Sequence, residues 1–460
     1  MKKAALFQKK SEEKAFDLKH RNTINFNISK YDTSVAKGMQ EYENHDLAKN
    51  RASYIKTNTI ENLYKLLLQF EENFIKNGGK IIWAATIEDA QKAIQKIIEE
   101  KNAKSVVKSK SMTTEEIHLN EFLENIKVEV IETDLGEYIV QLAGQKPYHI
   151  VTPAMHLSKK DVSDIFQEKL NTPPTDDAQE LTGTARRLLR QKYVHAEIGI
   201  TGANFMIANI GGIAITENEG NARLSTAFPK THIAIVGIEK MLPKLQDLSL
   251  FWPLLAASGT GQRVTVYNSI FCGPKKPHEI DGPEEMYLIL LDNGRSELLA
   301  DTQKRQALNC IRCGACLNAC PVYKNIGGHT YNTTYSGPIG SVITPHLEGL
   351  KNFKHLSFAS SLCGACGTVC PVKIDLPKLL VLNRKQSVEE NLSPRSEKLG
   401  FQFWKQAMKR RSLMNTVNGK LKNFLVKNLF SKSWGKKRNL PQIATKSFNE
   451  LWQNKQKHNK

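Results

Sequence analysis

Read for hydrophobic spacing, the chain divides into a polar start, a long strand-and-helix middle and a cysteine-bearing, basic end. Residues 1–55 carry scattered charges and few apolar positions, which predicts a segment that wraps the surface or frays. Ile60, Leu63, Leu66, Leu67, Phe70, Phe74 and Ile75 then recur at helical spacing, so Asn58–Lys76 reads as a helix. Asn77-Gly78-Gly79 ends it, since glycine tolerates a left-handed cap. Strands are expected at Lys80–Ala85, Ser105–Lys108, Val128–Glu132 and His149–Thr152, alternating with helices at Glu88–Lys101 and Thr113–Phe122. Ser158 caps a further helix with Asp161 at its third position, and Thr182–Lys192 is also helical. A run of strands follows at Glu197–Thr201, Phe205–Ala208, Ile213–Thr216, His232–Val236, Val264–Ser269 and Met286–Leu291.

Strand–helix alternation argues for an α/β domain with a partly parallel sheet and covering helices, and the later strands for antiparallel additions to that sheet. Asp292-Asn293-Gly294 closes the last strand, and Ser296–Asn309 reads as a helix leading to Cys310. The expected organisation is a polar extension over 1–55, an α/β domain over 56–293, a helical region over 294–395 and a basic tail over 396–460.

The chain's 460 residues allow two or three domains, and an apolar fraction of 40% fits a globular protein. No apolar run follows Met1-Lys2-Lys3, and no stretch approaches the roughly 20 apolar residues of a spanning helix, so a cytoplasmic protein is expected. The net charge of +19 is uneven: residues 401–460 hold fifteen Lys or Arg against the single acid Glu450, a net +14. Phe403, Trp404, Leu413, Leu421, Phe424, Leu425, Leu429 and Phe430 interleave with that charge. The tail is either a solvated helix resting on the protein or a basic amphipathic surface for an anionic membrane or acidic partner. No nucleic-acid motif accompanies it.

Seven of eight cysteines fall in two sets. The first is Cys310-x-x-Cys313-x-x-Cys316-x-x-x-Cys320-Pro321, and the second is Cys363-x-x-Cys366-x-x-x-Cys370-Pro371. In the bacterial ferredoxin pattern, three cysteines of a run hold one cubane and the fourth, before proline, reaches the other. One cluster then takes Cys310, Cys313, Cys316 and Cys370, and the other Cys320, Cys363 and Cys366. Ser360 stands where the second set's missing cysteine belongs. The three-thiolate cluster is either a [4Fe-4S] centre completed by Ser360, water or substrate, or a [3Fe-4S] centre. The 43-position gap from Cys320 to Cys363 favours a helical ferredoxin domain. Zinc is the alternative for paired C-x-x-C elements, but a triple run ending in Cys-Pro is rare among zinc sites. Cys272 stands alone and reads as a buried thiol.

Thr201-Gly202-Ala203-Asn204 and Glu217-Asn218-Glu219-Gly220-Asn221 each follow an expected strand, and Ser258-Gly259-Thr260-Gly261-Gln262 is a third small, glycine-containing loop; together they could offer an anion site, with Arg223 and His156 as sources of positive charge. None matches a phosphate-binding or dinucleotide fingerprint. Asp134-Leu135-Gly136-Glu137 reads as a turn, no histidines form a metal set, and no carboxylate pair stands out.

The stretches Glu132–Glu137, His149–His156, Thr201–Asn204, Glu217–Asn221 and Gly337–Gly340, with both cysteine sets, resemble the lactate utilization protein B family from about residue 30 to the C-terminus. The resemblance implies a lactate-utilization domain similar to ribose-phosphate isomerases and CoA transferases, then a two-cluster α-helical ferredoxin domain and a basic tail. It implies two [4Fe-4S] clusters on the cysteines already grouped, the second with three thiolates. It also implies an electron-transfer subunit working with sister subunits in a complex that oxidises L-lactate to pyruvate. A quinone-linked acceptor would place the chain peripherally at the inner membrane face. The alternative is a sheet domain that is itself catalytic or binds a CoA ester or anion, with structural or redox-sensing clusters.

Overall fold

The protein is described by a computed structural model covering residues 2–410, 413, 417–434 and 439–458. It forms two compact units, Met1–Ser387 and Val388–Lys460. The first is built on six parallel strands: β1 (Lys80–Ala84), β2 (Ser105–Lys108), β3 (Glu129–Glu132), β4 (Ile198–Thr201), β7 (Thr231–Gly237) and β10 (Glu285–Leu291), in the order β1-β10-β7-β4-β2-β3. Interior strands of a parallel sheet are covered on both faces and read as continuous apolar runs. Every residue of β7 is buried, and its pleat sends Ile233 and Ile235 to one core and Ala234 and Val236 to the other. Leu288 and Ile289 of the neighbouring β10 divide in the same way. Helix Ile87–Lys101 covers one face, fixed at its start by the reciprocal Thr86–Asp89 capping box and ended by left-handed Asn102.

The later strands do not extend this sheet. β5 (Phe205–Ile207), β6 (Gly212–Glu217), β8 (Met241–Leu242) and β9 (Tyr267–Phe271) form a second sheet, β8-β5-β6-β9, with antiparallel β5–β6 and β6–β9 pairs. Gly211 turns between β5 and β6 at φ +58°, where a Cβ would stand 2.3 Å from the Phe74 nitrogen. The expected strand at His149–Thr152 is a loop. His149 Nδ1 accepts the backbone N–H groups of Val151 and Thr152 and so takes them out of reach of any ladder.

The first 55 residues neither fray nor lie loosely on the surface. They form helices Lys2–Ala15 and Leu18–Met39 and most of His45–Glu61, with Ile24, Ile28 and Ala52 fully buried. The helix expected from Asn58 is interrupted at Asn62, whose dihedrals leave the helical region between His45–Glu61 and Leu63–Lys76. Helix Arg295–Ala300 and a 3-10 turn, Arg305–Asn309, replace the single helix expected before Cys310. From there to Ser387 every regular element among the described residues is helical.

The second unit contains helices Arg395–Lys409, Gly419–Trp434 and Phe448–His458. Phe403, Trp404, Leu413, Leu421, Phe424, Leu425 and Leu429 are exposed, and the Phe430 side chain lies outside the described set. No helix among the described residues is long and apolar enough to cross a membrane.

Candidate functional site

The two cysteine loops have one backbone design. In each Cys-Gly-Ala-Cys run the glycine is left-handed, Gly314 at φ +80° and Gly364 at φ +85°, and caps a short helix, Ala315–Ala319 or Ala365–Thr368. The residue before each run, Arg312 or Leu362, is also left-handed. Cys320 is extended, as the residue before proline must be, and Pro321 opens helix Pro321–Ile326 at its first position. The backbone N–H of Arg312 is 3.4 Å from Cys310 Sγ, and in the second loop Leu362 N–H donates to Ser360 Oγ at 3.2 Å. Ser360 thus occupies the structural place of Cys310.

Chain folding brings Cys370 to the first loop. Burial pushes its thiol up to about 11, with Cys310 adding to the rise. Burial and mutual repulsion also raise Cys313 and Cys316, each against Cys310 and Cys370. The remaining three gather separately: burial takes Cys366 up to about 11, with Cys320 and Cys363 reinforcing it. Crowded thiols of this kind become good ligands when a polynuclear cation takes their protons' place. Among the described residues, no three cysteine sulfurs lie within 4.8 Å of one another. Four sulfurs on one zinc would stand about 3.8 Å apart, given Zn–S bonds near 2.3 Å. The donor chemistry, thiols in runs that each end in Cys-Pro, fits an iron–sulfur cube better than zinc. Cys272 belongs to neither set and is only partly buried.

Beside the first loop lies a half-open cavity of about 770 Å³ at the carboxyl ends of β2, β3, β4 and β7, where open parallel sheets place ligands. Residues of all three stretches singled out from the sequence reach it, namely Gly202–Asn204, Glu217–Glu219 with Asn221, and Gly259 with Thr260, but the last two end helix Leu248–Thr260 and are not a loop; Cys313 lines the cavity wall. Arg223 and His156 do not line it; burial holds His156 neutral, with a pKa of about 3. The cavity's positive charge comes from Lys30, Lys110, Lys240 and Arg312, which sequence spacing does not reveal. Asp134 begins helix Leu135–Leu142 rather than a turn, its Oδ1 accepting Glu137 N–H, while Lys110 Nζ lies 3.4 Å from Asp134 and donates to the Val151 carbonyl. Burial raises the carboxyls of Glu217 and Glu219 on the same side.

Two buried charge networks support the strand ends. Lys108 Nζ, fully buried, meets Glu132 at 2.7 Å, Glu115 at 3.1 Å and Glu137 at 4.0 Å. Burial opposes its charge, but these carboxylates outweigh it and keep the ammonium protonated. The lysine fills the gap that a metal ion would take among the three acids. In the second network Arg295 bridges Glu116, at 2.7 and 2.8 Å, and Glu239, at 2.6 Å. Glu239 faces Arg312 Nη2 at 3.4 Å, and Glu116 accepts the Tyr335 hydroxyl at 2.7 Å. Burial disfavours the Glu239 charge, yet Arg295, Arg312 and Lys240 hold its pKa at about 2. This network ties the ends of β7 and β10 to the cysteine loop.

Comparison with known proteins follows the same division. Residues 67–291 match the LUD domain model and residues 306–374 the 4Fe-4S dicluster domain model. The chain is 48% identical over 373 residues to lactate utilization protein B of Bacillus cytotoxicus, and 47% identical to that of Bacillus thuringiensis. Each alignment covers 81% of this chain and 78% of the relative. A crystal structure of a DUF162 family protein from Deinococcus radiodurans aligns at TM-score 0.29 and 14% identity, over 50% of this chain and 98% of that one, too distant to bear on the fold.

Proposed function

The chain belongs to the lactate utilization protein B family, and on that premise we propose that it is an iron–sulfur electron-transfer subunit of a complex oxidising L-lactate to pyruvate. The observation that carries the reading is the gathering of seven cysteines from two distant loops into a set of four and a set of three. Cys310, Cys313, Cys316 and Cys370 would hold one four-iron cluster, and Cys320, Cys363 and Cys366 the other. Bound clusters of this type supply one-electron storage over a wide range of potentials. The chain's own part is to space the thiols, burying Cys313, Cys316, Cys366 and Cys370 while Cys363 stays exposed, and to fix the loops with left-handed Gly314 and Gly364. Ser360, seated as Cys310 is, offers the second cluster an oxygen in place of a fourth thiolate.

The sheet domain is read as similar in fold to ribose-phosphate isomerases and CoA transferases. Sister subunits of the lactate-utilization complex are its partners. The basic, apolar-studded tail supports a peripheral seat on an anionic membrane face near a quinone-linked acceptor. Deleting residues 401–460 is expected to release the protein from the membrane fraction, and unchanged fractionation refutes that seat.

The central test is anaerobic purification with iron and sulfide analysis, followed by electron paramagnetic resonance before and after adding L-lactate and the sister subunits. The relay reading expects iron with acid-labile sulfide, and clusters that become reduced. A colourless zinc protein refutes it, as do clusters that stay oxidised while pyruvate forms.

A further inference from the structure

Two cations at the cavity, Lys240 and Arg312, share one buried carboxylate, Glu239, which Arg295 already holds. Lys240, at the end of the 3-10 turn Ile238–Lys240 after β7, is only 7% exposed and lines the cavity; among the described residues it makes no hydrogen bond or ion pair shorter than 4 Å. Arg312 lies over the Tyr335 ring at 4.4 Å and shares Glu239 at the long distance of 3.4 Å. Its Nη1 is buried with no partner. A third donor is Asn204, whose Oδ1 accepts Thr216 N–H at 2.9 Å and so leaves the amide Nδ2–H groups as its free end. Burying charged donors unpaired is costly, and a ligand rich in acceptor oxygens removes that cost.

We propose that this cavity binds a small organic carboxylate carrying a hydroxyl or keto oxygen on the adjacent carbon, its carboxylate between Lys240 and Arg312 and its second oxygen toward Asn204. An arginine fork and a lysine point charge together suit a carboxylate. Asn204 supplies the neutral donor that an adjacent oxygen needs. The site lies against the first cysteine loop, since Cys313 and Arg312 share its wall with Lys240. The choice of a 2-hydroxy or 2-oxo acid over other anions rests on the lactate reading above.

The test is calorimetric titration of the full chain, purified anaerobically with its metal, using L-lactate, pyruvate and inorganic phosphate as separate probes. One of the two acids is expected to bind, and Lys240→Gln to weaken it at least tenfold, about 1.4 kcal/mol. Lys240→Arg keeps the positive charge and is expected to retain affinity within about threefold. Iron content and visible spectrum serve as controls. Should Lys240→Gln fail to fold, Asn204→Asp keeps the acceptor for Thr216 while adding a negative charge, and is expected to abolish acid binding. The proposal is overturned if neither acid binds, if phosphate binds more tightly than both, or if the variants that fold bind like the parent. Acid binding that survives with clusters that never accept lactate's electrons sinks the relay and leaves this site standing.

Discussion

Arg295→Met tests whether charge pairing, and not packing alone, holds the strand ends to the cysteine loop. Methionine keeps much of the apolar stem but removes the guanidinium that bridges Glu116 and Glu239, both buried to within a few per cent. Three side-chain hydrogen bonds of 2.6–2.8 Å are lost, together with one to the Asp292 carbonyl at 3.0 Å. Removing one partner of a buried ion pair costs about 3–5 kcal/mol, because the other charge stays behind uncompensated. For comparison, an exposed pair such as Lys96–Glu100 is worth about 0–1 kcal/mol. Equilibrium urea unfolding under anaerobic conditions, followed by circular dichroism and visible absorbance, measures the loss. Tyr335 and Arg312 join this network to the loop, so both signals are expected to fall at lower urea. The double variant R295M/E116Q removes the stranded carboxylate, since Glu239 keeps Arg312 at 3.4 Å, and is expected to recover a large part of the stability. A single variant within about 1 kcal/mol of the parent, or a double variant no better than the single, refutes the reasoning.

His232 is buried in β7 with Nε2 at 2.8 Å from Thr201 Oγ1, and burial lowers its pKa from 6.5 to about 3. The unfolded chain takes up this proton below about 6.5 and the folded chain does not, so stability falls with pH from 6.5 toward 3, by about 1.4 kcal/mol per unit at its steepest. His232→Gln is expected to flatten that acid limb in unfolding curves; an unchanged slope counts against it. Gly199→Ala places a Cβ 1.7 Å from the Ser225 carbonyl oxygen and is expected to cost about 1–3 kcal/mol, while an unshifted melting curve would contradict that contact. Cys370→Ser is expected to remove the cluster signal of the first loop, and Cys366→Ser that of the second. Identical spectra from the two variants would disprove the swapped pairing.

What could be read from the chain was whatever repeats locally. β7 and β10 were legible because strands buried on both faces need apolar residues in succession, and the cysteine sets because ligands on one loop keep fixed spacing. The N-terminal helices were not, since Leu18–Met39 buries only Ile24, Ile28 and Gly38, and His45–Glu61 buries Lys49, Lys56 and Thr59 beside Ala52, Ile55 and Ile60, inside a polar sequence. Two stretches of the cavity could be named because they follow strands, and the third, Ser258–Gln262, for its glycines, although Ser258–Thr260 end a helix. Its cations could not: Lys110 follows β2, Lys240 follows β7, and Arg312 sits in the cysteine loop, so their convergence exists only after folding. Lys108 and its three carboxylates were invisible for the same reason, being contributed by four separate elements.

That convergence rests on a core shared across the chain's landmarks. The family models change between residues 291 and 306, yet one hydrophobic cluster contains Ile24 and Ile28 of the N-terminal helices, Tyr148 and Ile150 of the loop before the cavity, Phe205 and Ile207 of β5, and Cys313, Cys316, Cys366 and Cys370. Tyr323 donates its hydroxyl to the Tyr148 carbonyl at 2.8 Å, and a Cβ on Gly327 would stand 1.5 Å from the Tyr148 hydroxyl, so these segments meet at van der Waals contact. Close-packed interiors transmit displacement and do not absorb it. The distance from Lys240 on the sheet side to the thiols on the loop side is therefore set by the core and not by a linker. A chain cut near residue 293 would uncover Phe205, Leu254 and Ile150 together and leave Arg295's carboxylate partners without their counter-charge. The sheet and the cysteine loops thus share one compact unit and one core, so the cavity and the thiols keep a fixed separation.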